Sequence, residues 1–361
     1  MLLEEFDYQL PPELIAQRPL VPRDASRMMV LDREGGTFRD HVFRDLPQVL
    51  EPGDLLVFNN TKVFPARLLG RRRGLRSQSI GKRNPAAREF LKGEVELLLT
   101  RQESGDVWQG LVHPGRKVRT GEVLLFGEGE LQAEVIGRGD YGVRRVRLRA
   151  REASIEEVID RLGHVPLPPY IRRADEAQDR ETYQTIYAKV RGAVAAPTAG
   201  FHFTERVLEA LRQRKIETCE ITLHVGLGTF QPVRVDRVEE HKMEAERYEI
   251  SQGTAVALNG ALEQGRRIIG VGTTSIRTLE HVAFERSGRI EPGRGETSLF
   301  IYPGFTFRMV RGLLTNFHLP KSTLLMLVCA LAGRDLTLRA YQHAVRERYR
   351  FYSYGDCMLV L

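Results

Sequence analysis

The sequence predicts an α/β protein whose mixed α/β main domain is interrupted by a small inserted β-barrel domain. Three observations carry that prediction. Six short strand-like segments follow one another between residues 66 and 150 with no helical period between them; apolar strand runs alternate with amphipathic runs elsewhere; and a capped helix restores the α/β texture at Ser154. A chain of 361 residues, 42% of them hydrophobic, has material for two domains. The expected division is 1–65 for the first part of the main domain, 66–153 for the barrel and 154–361 for the second part.

The first elements are two apolar runs bounded by turn residues, MMVLD (28–32) and DLLVFNN (54–60), which read as buried strands. RLLGRR, GEVELLLTR, DVWQGLVHPG, GEVLLFGEGE, LQAEVIGRG and GVRRVRLRA then supply the six barrel strands. Ser154 is placed to cap a helix running to Leu162, with Glu156 and Glu157 in its first turn. Further strands are expected at 216–225, 244–250, 266–272 and 312–317, and helices at 205–213, 253–264, 275–283, 322–332 and 336–347.

No apolar run reaches the 18 residues of a membrane span, and the opening MLLEEFDYQLPPEL carries early acids where a signal peptide would carry bases. A soluble, cytoplasmic, monomeric protein is the expectation. Cys219, Cys329 and Cys357 lie far apart with no C-x-x-C pair, so neither a metal site nor a disulfide framework is expected. Between Arg71 and Lys92, eight basic side chains face Glu89 alone, an excess as large as the whole chain's formal charge of +7. Such a cluster suits nucleic-acid phosphates, and its Gly, Ser, Asn and Pro content equally suits a solvated hairpin loop.

Four stretches can carry chemistry. GAVAAPTAGFHF (192–203) strips side chains away just before His202, which suits either tight packing or a ligand that needs room. HVGLGTFQPV (224–233) has a G-x-G after an apolar run, but Thr229 to Pro232 follow where a helix would begin, so a dinucleotide fingerprint is unsupported. In IIGVGTTSIRTLEHV (268–282) a strand ends at Gly270 and Gly272, and Thr273, Thr274 and Ser275 open a helix. Its exposed amides suit an anionic group, or the hydroxyls simply cap; Arg277 and Glu280 share a helix face and read as a surface pair. LLTNFHLPKSTLLMLV (313–328) crowds Asn316, His318, Lys321, Ser322 and Thr323 between a strand and an apolar helix. Asp236 and Glu240 are possible general bases on a stretch that also reads as a charged solvated face, and the aromatics from Tyr349 to Tyr354 can stack on bases or pack a terminal strand.

In order, FDYQLPPELIAQRPLVPRDASRMMVLDR, GDLLVFNNTKVFPARL, GHVPLPPYIRR, DRETYQTIYAKVRGAVAAPTAGFHFT, LHVGLGTFQPV, VGTTSIRTLE, TNFHLPKSTLLMLV and FYSYGD together cover nearly the full length. This set resembles the S-adenosylmethionine:tRNA ribosyltransferase-isomerase family of queuosine biosynthesis. The stretch 75–88 departs from it by being longer and more basic than the family's barrel hairpin, and Cys329 and Cys357 stand where small residues are expected.

The resemblance implies transfer and isomerisation of the ribosyl moiety of S-adenosylmethionine onto the aminomethyl group of 7-aminomethyl-7-deazaguanine at the tRNA wobble position, with adenine and methionine released. It implies no cofactor beyond that co-substrate. Carried onto this chain, it suggests an S-adenosylmethionine pocket formed by Thr198, Gly200, His224, Gly226, Gly228, Thr229, Gly272, Thr273, Thr274, Arg277 and Asn316. His202 and His318 become the leading proton-transfer candidates, with Asp236 and Glu240 behind them; Arg23, Arg27, Asn59, Asn60, Lys62, Arg172 and Arg173 are candidates to hold the modified base or tRNA phosphates. An RNA methyltransferase, which would release S-adenosylhomocysteine, and a non-catalytic RNA-binding protein are the competing classes.

Overall fold

Leu55–Asn59, the strand LLVFN, is buried on both faces, as a central strand covered on either side must be. In the computed structural model, which describes residues 1–73, 93–115, 118–139, 142–226 and 233–361, this strand lies inside a nine-stranded sheet. In chain order the strands are β1 (Arg27–Asp32), β2 (Thr37–Val42), β3 (Leu55–Asn59), β4 (Thr61–Val63), β5 (Arg67–Arg72), β6 (Glu94–Ser104), β7 (Val107–His113), β8 (Val123–Phe126), β9 (Leu131–Arg138), β10 (Val143–Ala150), β11 (Val190–Ala193), β12 (Glu217–Leu223), β13 (Glu246–Ile250), β14 (Ile268–Val271), β15 (Gly293–Thr297), β16 (Gly312–Asn316) and β17 (Cys357–Val360). The sheet order is β15-β13-β12-β3-β14-β16-β17-β1-β2.

Four central neighbours, β12, β3, β14 and β16, run parallel, while the flanking pairs β12-β13, β13-β15, β16-β17 and β1-β2 are antiparallel. Alternation through β3 sends Leu55 and Val57 into one apolar core and Leu56 and Phe58 into another. The first core is roofed by α3 (Gln252–Glu263), α4 (Thr273–Glu285), α5 (Thr323–Ala332) and α6 (Arg334–Arg346); the second by α2 (Glu205–Gln213). Side-chain oxygens fix several of these starts: Ser154, Thr204, Ser251 and Ser322 each accept a backbone N–H from the first helical turn. The basis of the helix expectations was therefore sound to within two residues at most ends.

The barrel closes in the order β10-β7-β6-β5-β8-β9. Leu97, Leu99, Phe126, Val135 and Val146 alternate inward, and Val158 and Ile159 of α1 (Ile155–Leu162) join that core. The mixed α/β architecture with a closed six-stranded barrel is thus the one the sequence predicts. The chain leaves the main sheet past Asn59, where β4 pairs with β11, and Arg67 and His164 then exchange backbone bonds of 3.2 and 2.8 Å beneath the barrel. Most of the basic stretch, residues 74–92, lies outside the described residues.

The element readings need correcting in two respects. Strands β2, β4, β11, β15 and β17 are absent from the sequence-based scheme: TFRDHV and GRGET lie at the two sheet edges, largely unburied and with no apolar period, and the other three are only three or four residues long. Arg277 and Glu280 are not a surface pair. Both are buried on α4; the Glu280 carboxylate accepts backbone N–H groups of Arg308, Met309 and Val310 at 2.8, 3.0 and 2.8 Å, and Arg277 reaches Glu246 instead.

The barrel junction depends on Gly163, whose φ of −77° suits any residue, so its requirement is space. A Cβ there would lie 1.9 Å from the Pro65 carbonyl oxygen and 2.5 Å from that of Ile159. Gly163→Ala is expected to lower stability by about 2–3 kcal/mol through forced backbone displacement, measured by denaturant unfolding.

Candidate active site

In open α/β sheets the crevice beyond the carboxyl ends of parallel strands collects loop residues and helix starts, which makes it the natural ligand site. Here that edge holds a cavity of about 580 Å³, within the range of small-molecule sites. Its walls come from the ends of three parallel strands: Val225 beyond β12, Gly272–Thr274 beyond β14, and Asn316–His318 at the end of β16. Ala196–Ala199, Tyr170, Lys321 and the Tyr352–Ser353 pair complete it.

Gly272 turns the chain from β14 into α4 with φ 87°, a conformation that favours glycine, so the first amides of α4 open beside the cavity. Thr274 lines the same wall, and its buried Oγ1 has no hydrogen-bond partner among the described residues. A buried hydroxyl left alone costs free energy that an entering ligand group can recover.

Asn316 ties the site together. Its Oδ1 accepts from Thr198 Oγ1 at 3.2 Å, and its Nδ2 lies 3.1 Å from the Tyr352 carbonyl oxygen and 3.3 Å from His202 Nε2. His318 is fixed on three sides: Nε2 is 2.8 Å from Thr315 Oγ1, its backbone N–H donates to the Tyr341 hydroxyl at 3.1 Å, and the Tyr8 hydroxyl donates to its carbonyl. Burial pushes the His318 imidazole down to about 3. His202 is also pushed to about 3, by burial first and then by the positive charges of Arg23 and Arg350. Both imidazoles are therefore neutral near pH 7, which leaves each with one donor and one acceptor nitrogen.

The structure brings some candidates to the cavity and leaves others away from it. Thr198, Gly272, Thr273, Thr274, Asn316 and His318 line it. His202 stands one layer back, behind Asn316, with its ring centroid 5.2 Å from that of Phe43. Gly200 makes room for protein: a Cβ there would lie 1.9 Å from the Tyr187 hydroxyl. His224 packs against Gly192 and bonds Thr61 Oγ1 through Nδ1 at 2.9 Å, and burial lowers its pKa. The Gly226 N–H donates to Glu246 Oε1 at 2.9 Å while Glu246 Oε2 meets Arg277, so one buried carboxylate joins both segments. Gly228 and Thr229 lie outside the described residues.

Asp236 and Glu240 are exposed, and of residues 233–240 only Val233 lines the cavity. Asn59 bonds the backbone of Thr61 and Leu223, and Asn60 bonds Glu220 and Thr222, so both amides stitch strand ends. Arg173 forms a two-pronged pair with buried Asp179 at 2.6 and 2.7 Å. Arg27 covers the Tyr349 ring at 3.7 Å, Arg23 donates to the Thr182 carbonyl, and Lys62 and Arg172 are exposed. Residue type alone missed Tyr170, Tyr352 and Ser353 as cavity wall; the run YRFYSYGD offered aromatics without showing which of them face a ligand.

Fold and cavity define an α/β scaffold with an inserted barrel, carrying beyond the carboxyl ends of its parallel strands a cavity of small-molecule size lined by polar and apolar groups. A family model for queuosine biosynthesis proteins matches residues 3–360. Over the full length of both chains, the sequence is 53% identical to the S-adenosylmethionine:tRNA ribosyltransferase-isomerase of Solibacter usitatus, and 53% and 50% identical to those of Moorella thermoacetica and Desulfitobacterium hafniense. The crystal structure of S-adenosylmethionine tRNA ribosyltransferase from Thermotoga maritima is 38% identical, covers 99% of this chain and 100% of its own, and superposes with a TM-score of 0.54. The chain belongs to this queuosine biosynthesis family of transferases. Among the described residues no helix is long and apolar enough to cross a membrane.

The two neutral histidines give stability a sign in pH. The unfolded chain takes up protons below its ordinary histidine pKa of 6.5 while the folded one resists down to about 3, so stability falls as pH falls through that window. From pH 7 to pH 5 each histidine is expected to remove about 2 kcal/mol. Urea titrations at both pH values should show this, with the drop smaller by about 2 kcal/mol in His202→Gln.

Proposed function

We propose that this chain transfers and isomerises the ribosyl moiety of S-adenosylmethionine onto the aminomethyl group of 7-aminomethyl-7-deazaguanine at the tRNA wobble position. The products are epoxyqueuosine-tRNA, adenine and methionine. The observation that carries the reading is the cavity in which neutral His318 and the Thr274 Oγ1, which has no partner among the described residues, share one wall system with the start of α4. Its apolar surface from Pro197, Val225, Val233, Phe317 and Leu324 suits a nucleoside, and the amides at Thr273 and Thr274 suit a carboxylate.

The sulfonium of the co-substrate acidifies the ribose C5′ protons. His318 accepts one; the electron pair left on carbon drives the sugar rearrangement, adenine departs with its glycosidic electron pair, and that pair takes up a proton. The substrate amine then forms the new C–N bond and gives up a proton, and the former ring oxygen closes the epoxide as the C–S bond breaks with its electron pair leaving on the methionine sulfur. A weakly basic imidazole can begin this sequence because charge moves and is not created: the new carbanion is held beside the positive sulfur as an ylide, so the co-substrate's net charge falls by one as the imidazolium gains one, and the desolvation that depresses His318 is offset. Thr315 holds the imidazole, and His202 orients Asn316 from behind. The reading carries with it a cytoplasmic monomer and no cofactor beyond the ribosyl donor.

Incubation with S-adenosylmethionine and precursor tRNA, followed by mass spectrometry, should yield adenine and methionine; S-adenosylhomocysteine would instead establish a methyltransferase. His318→Ala is expected to lower turnover about 10²–10⁴-fold. Thr274→Val should raise KM for S-adenosylmethionine about 3- to 10-fold, the worth of one hydrogen bond. It should hold or raise the thermal midpoint of the free protein, because the buried Oγ1 it removes has no partner among the described residues.

A further inference from the structure

Behind the His202 wall lies a shallow recess bordered by Pro19, Leu20, Arg23, His202, Ser353 and Tyr354. It shares Ser353 with the cavity and touches it again through the Asn316–His202 contact. Arg23 lines this recess and Arg350 lies near enough for its charge to bear on His202; among the described residues neither guanidinium binds a carboxylate. Arg23 donates one Nη2 bond to the Thr182 carbonyl and covers the Phe201 ring at 4.9 Å; Arg350 donates one Nη2 bond to the Arg18 carbonyl. The Nη1 of each is buried and without a partner among the described residues.

Nearby carboxylates bind other groups, although Asp24 Oδ1 is buried without a partner among the described residues. Asp24 Oδ2 takes Arg206 and Thr204 at 2.7 and 2.8 Å, Asp179 takes Arg173, and Glu176 takes Arg18. Asp356 accepts the backbone N–H groups of Arg27 and Arg350 at 2.9 and 2.8 Å, and offsets only part of the Arg350 charge. Burial accordingly lowers the pKa of both arginines, and both charges bear on His202. Two half-buried like charges, one of them only partly offset by Asp356, cost stability that an anion arriving with a partner would recover. The loop Pro19–Pro22 beside them carries Val21 at 92% exposure, an apolar tip at the rim of a cationic recess.

We propose that Arg23 and Arg350 form a phosphate clamp for the RNA backbone next to the modified nucleotide, with the Val21 loop against its sugar or base, so that the base enters the adjoining cavity past Ser353. This inference rests on the tRNA substrate of the proposed function. The two guanidinium groups swing off their single carbonyl bonds to grip a phosphodiester, which both fixes the strand's register and discharges the repulsion around His202. The clamp lies on the main domain and does not involve the barrel's arginines.

The test is binding of an anticodon stem-loop RNA to wild type, Arg23→Gln and Arg350→Gln between 50 and 200 mM salt, with S-adenosylmethionine affinity measured in parallel. Each substitution should weaken RNA binding about 5- to 10-fold and flatten the slope of log K against log salt by about 0.7–0.9. Arg350→Lys should recover most of the slope. The S-adenosylmethionine Kd should be unchanged, and the thermal midpoint of the free protein should hold or rise, whereas loss of a structural arginine would lower it. An unchanged RNA slope, or a loss of S-adenosylmethionine affinity in its place, overturns the clamp. Because the readout is binding, a methyltransferase product in the turnover assay would sink the proposed reaction without altering this result.

Discussion

Asn316 closes β16, and its side-chain amide holds three separate pieces of chain at one point: Thr198 from the small-residue stretch, the Tyr352 carbonyl from the C-terminal turn, and His202 from behind. Each of those pieces contributes to the wall of the cavity or backs it. A buried amide must satisfy its own donors and acceptor, so the network specifies one arrangement of the three segments. Tyr352 shows what this entails: it sits at φ 70°, a conformation bulky residues rarely adopt, with its carbonyl bound by Asn316 and its N–H bound to the Phe317 carbonyl.

From that point the energetic logic runs outward. Parallel pairing of β3, β14 and β16 delivers Gly272 and Asn316 to the same edge. The helix that follows Gly272 presents its first amides there, and the buried Glu246–Arg277 pair anchors both α4 and Gly226 beside them. A dry, rigid edge makes neutral histidines, and neutral histidines suit a reaction that passes one positive charge between two buried groups. The barrel is packed separately around its own core, so the main sheet can keep its strand ends open for ligand while the insertion extends from the same edge.

The architecture was legible because periodicity reports burial, and burial follows the sheet and barrel closely. LLVFN had to be central, and the alternating barrel segments had to close around one another. The cavity was half legible. Thr273, Thr274, Asn316 and His318 sit at strand ends and helix starts, where local sequence announces an opening. Gly200 and Gly192 did not: their missing side chains accommodate Tyr187 and His224, contacts made across the fold that no local pattern encodes. Arg277 and Glu280 misled for the same reason, since three-residue spacing on a helix says that two charges are neighbours and nothing about whether that face meets water.

In the proposed reaction His318, held neutral in the cavity, moves the C5′ proton. Deuterium exchange tests this step without requiring transfer to RNA: S-adenosylmethionine is incubated with the protein in D₂O and followed by NMR at C5′. Enzyme-dependent incorporation is expected, and His318→Ala should abolish it while S-adenosylmethionine still binds. Exchange in His318→Ala at the wild-type rate would remove His318 from the proton transfer.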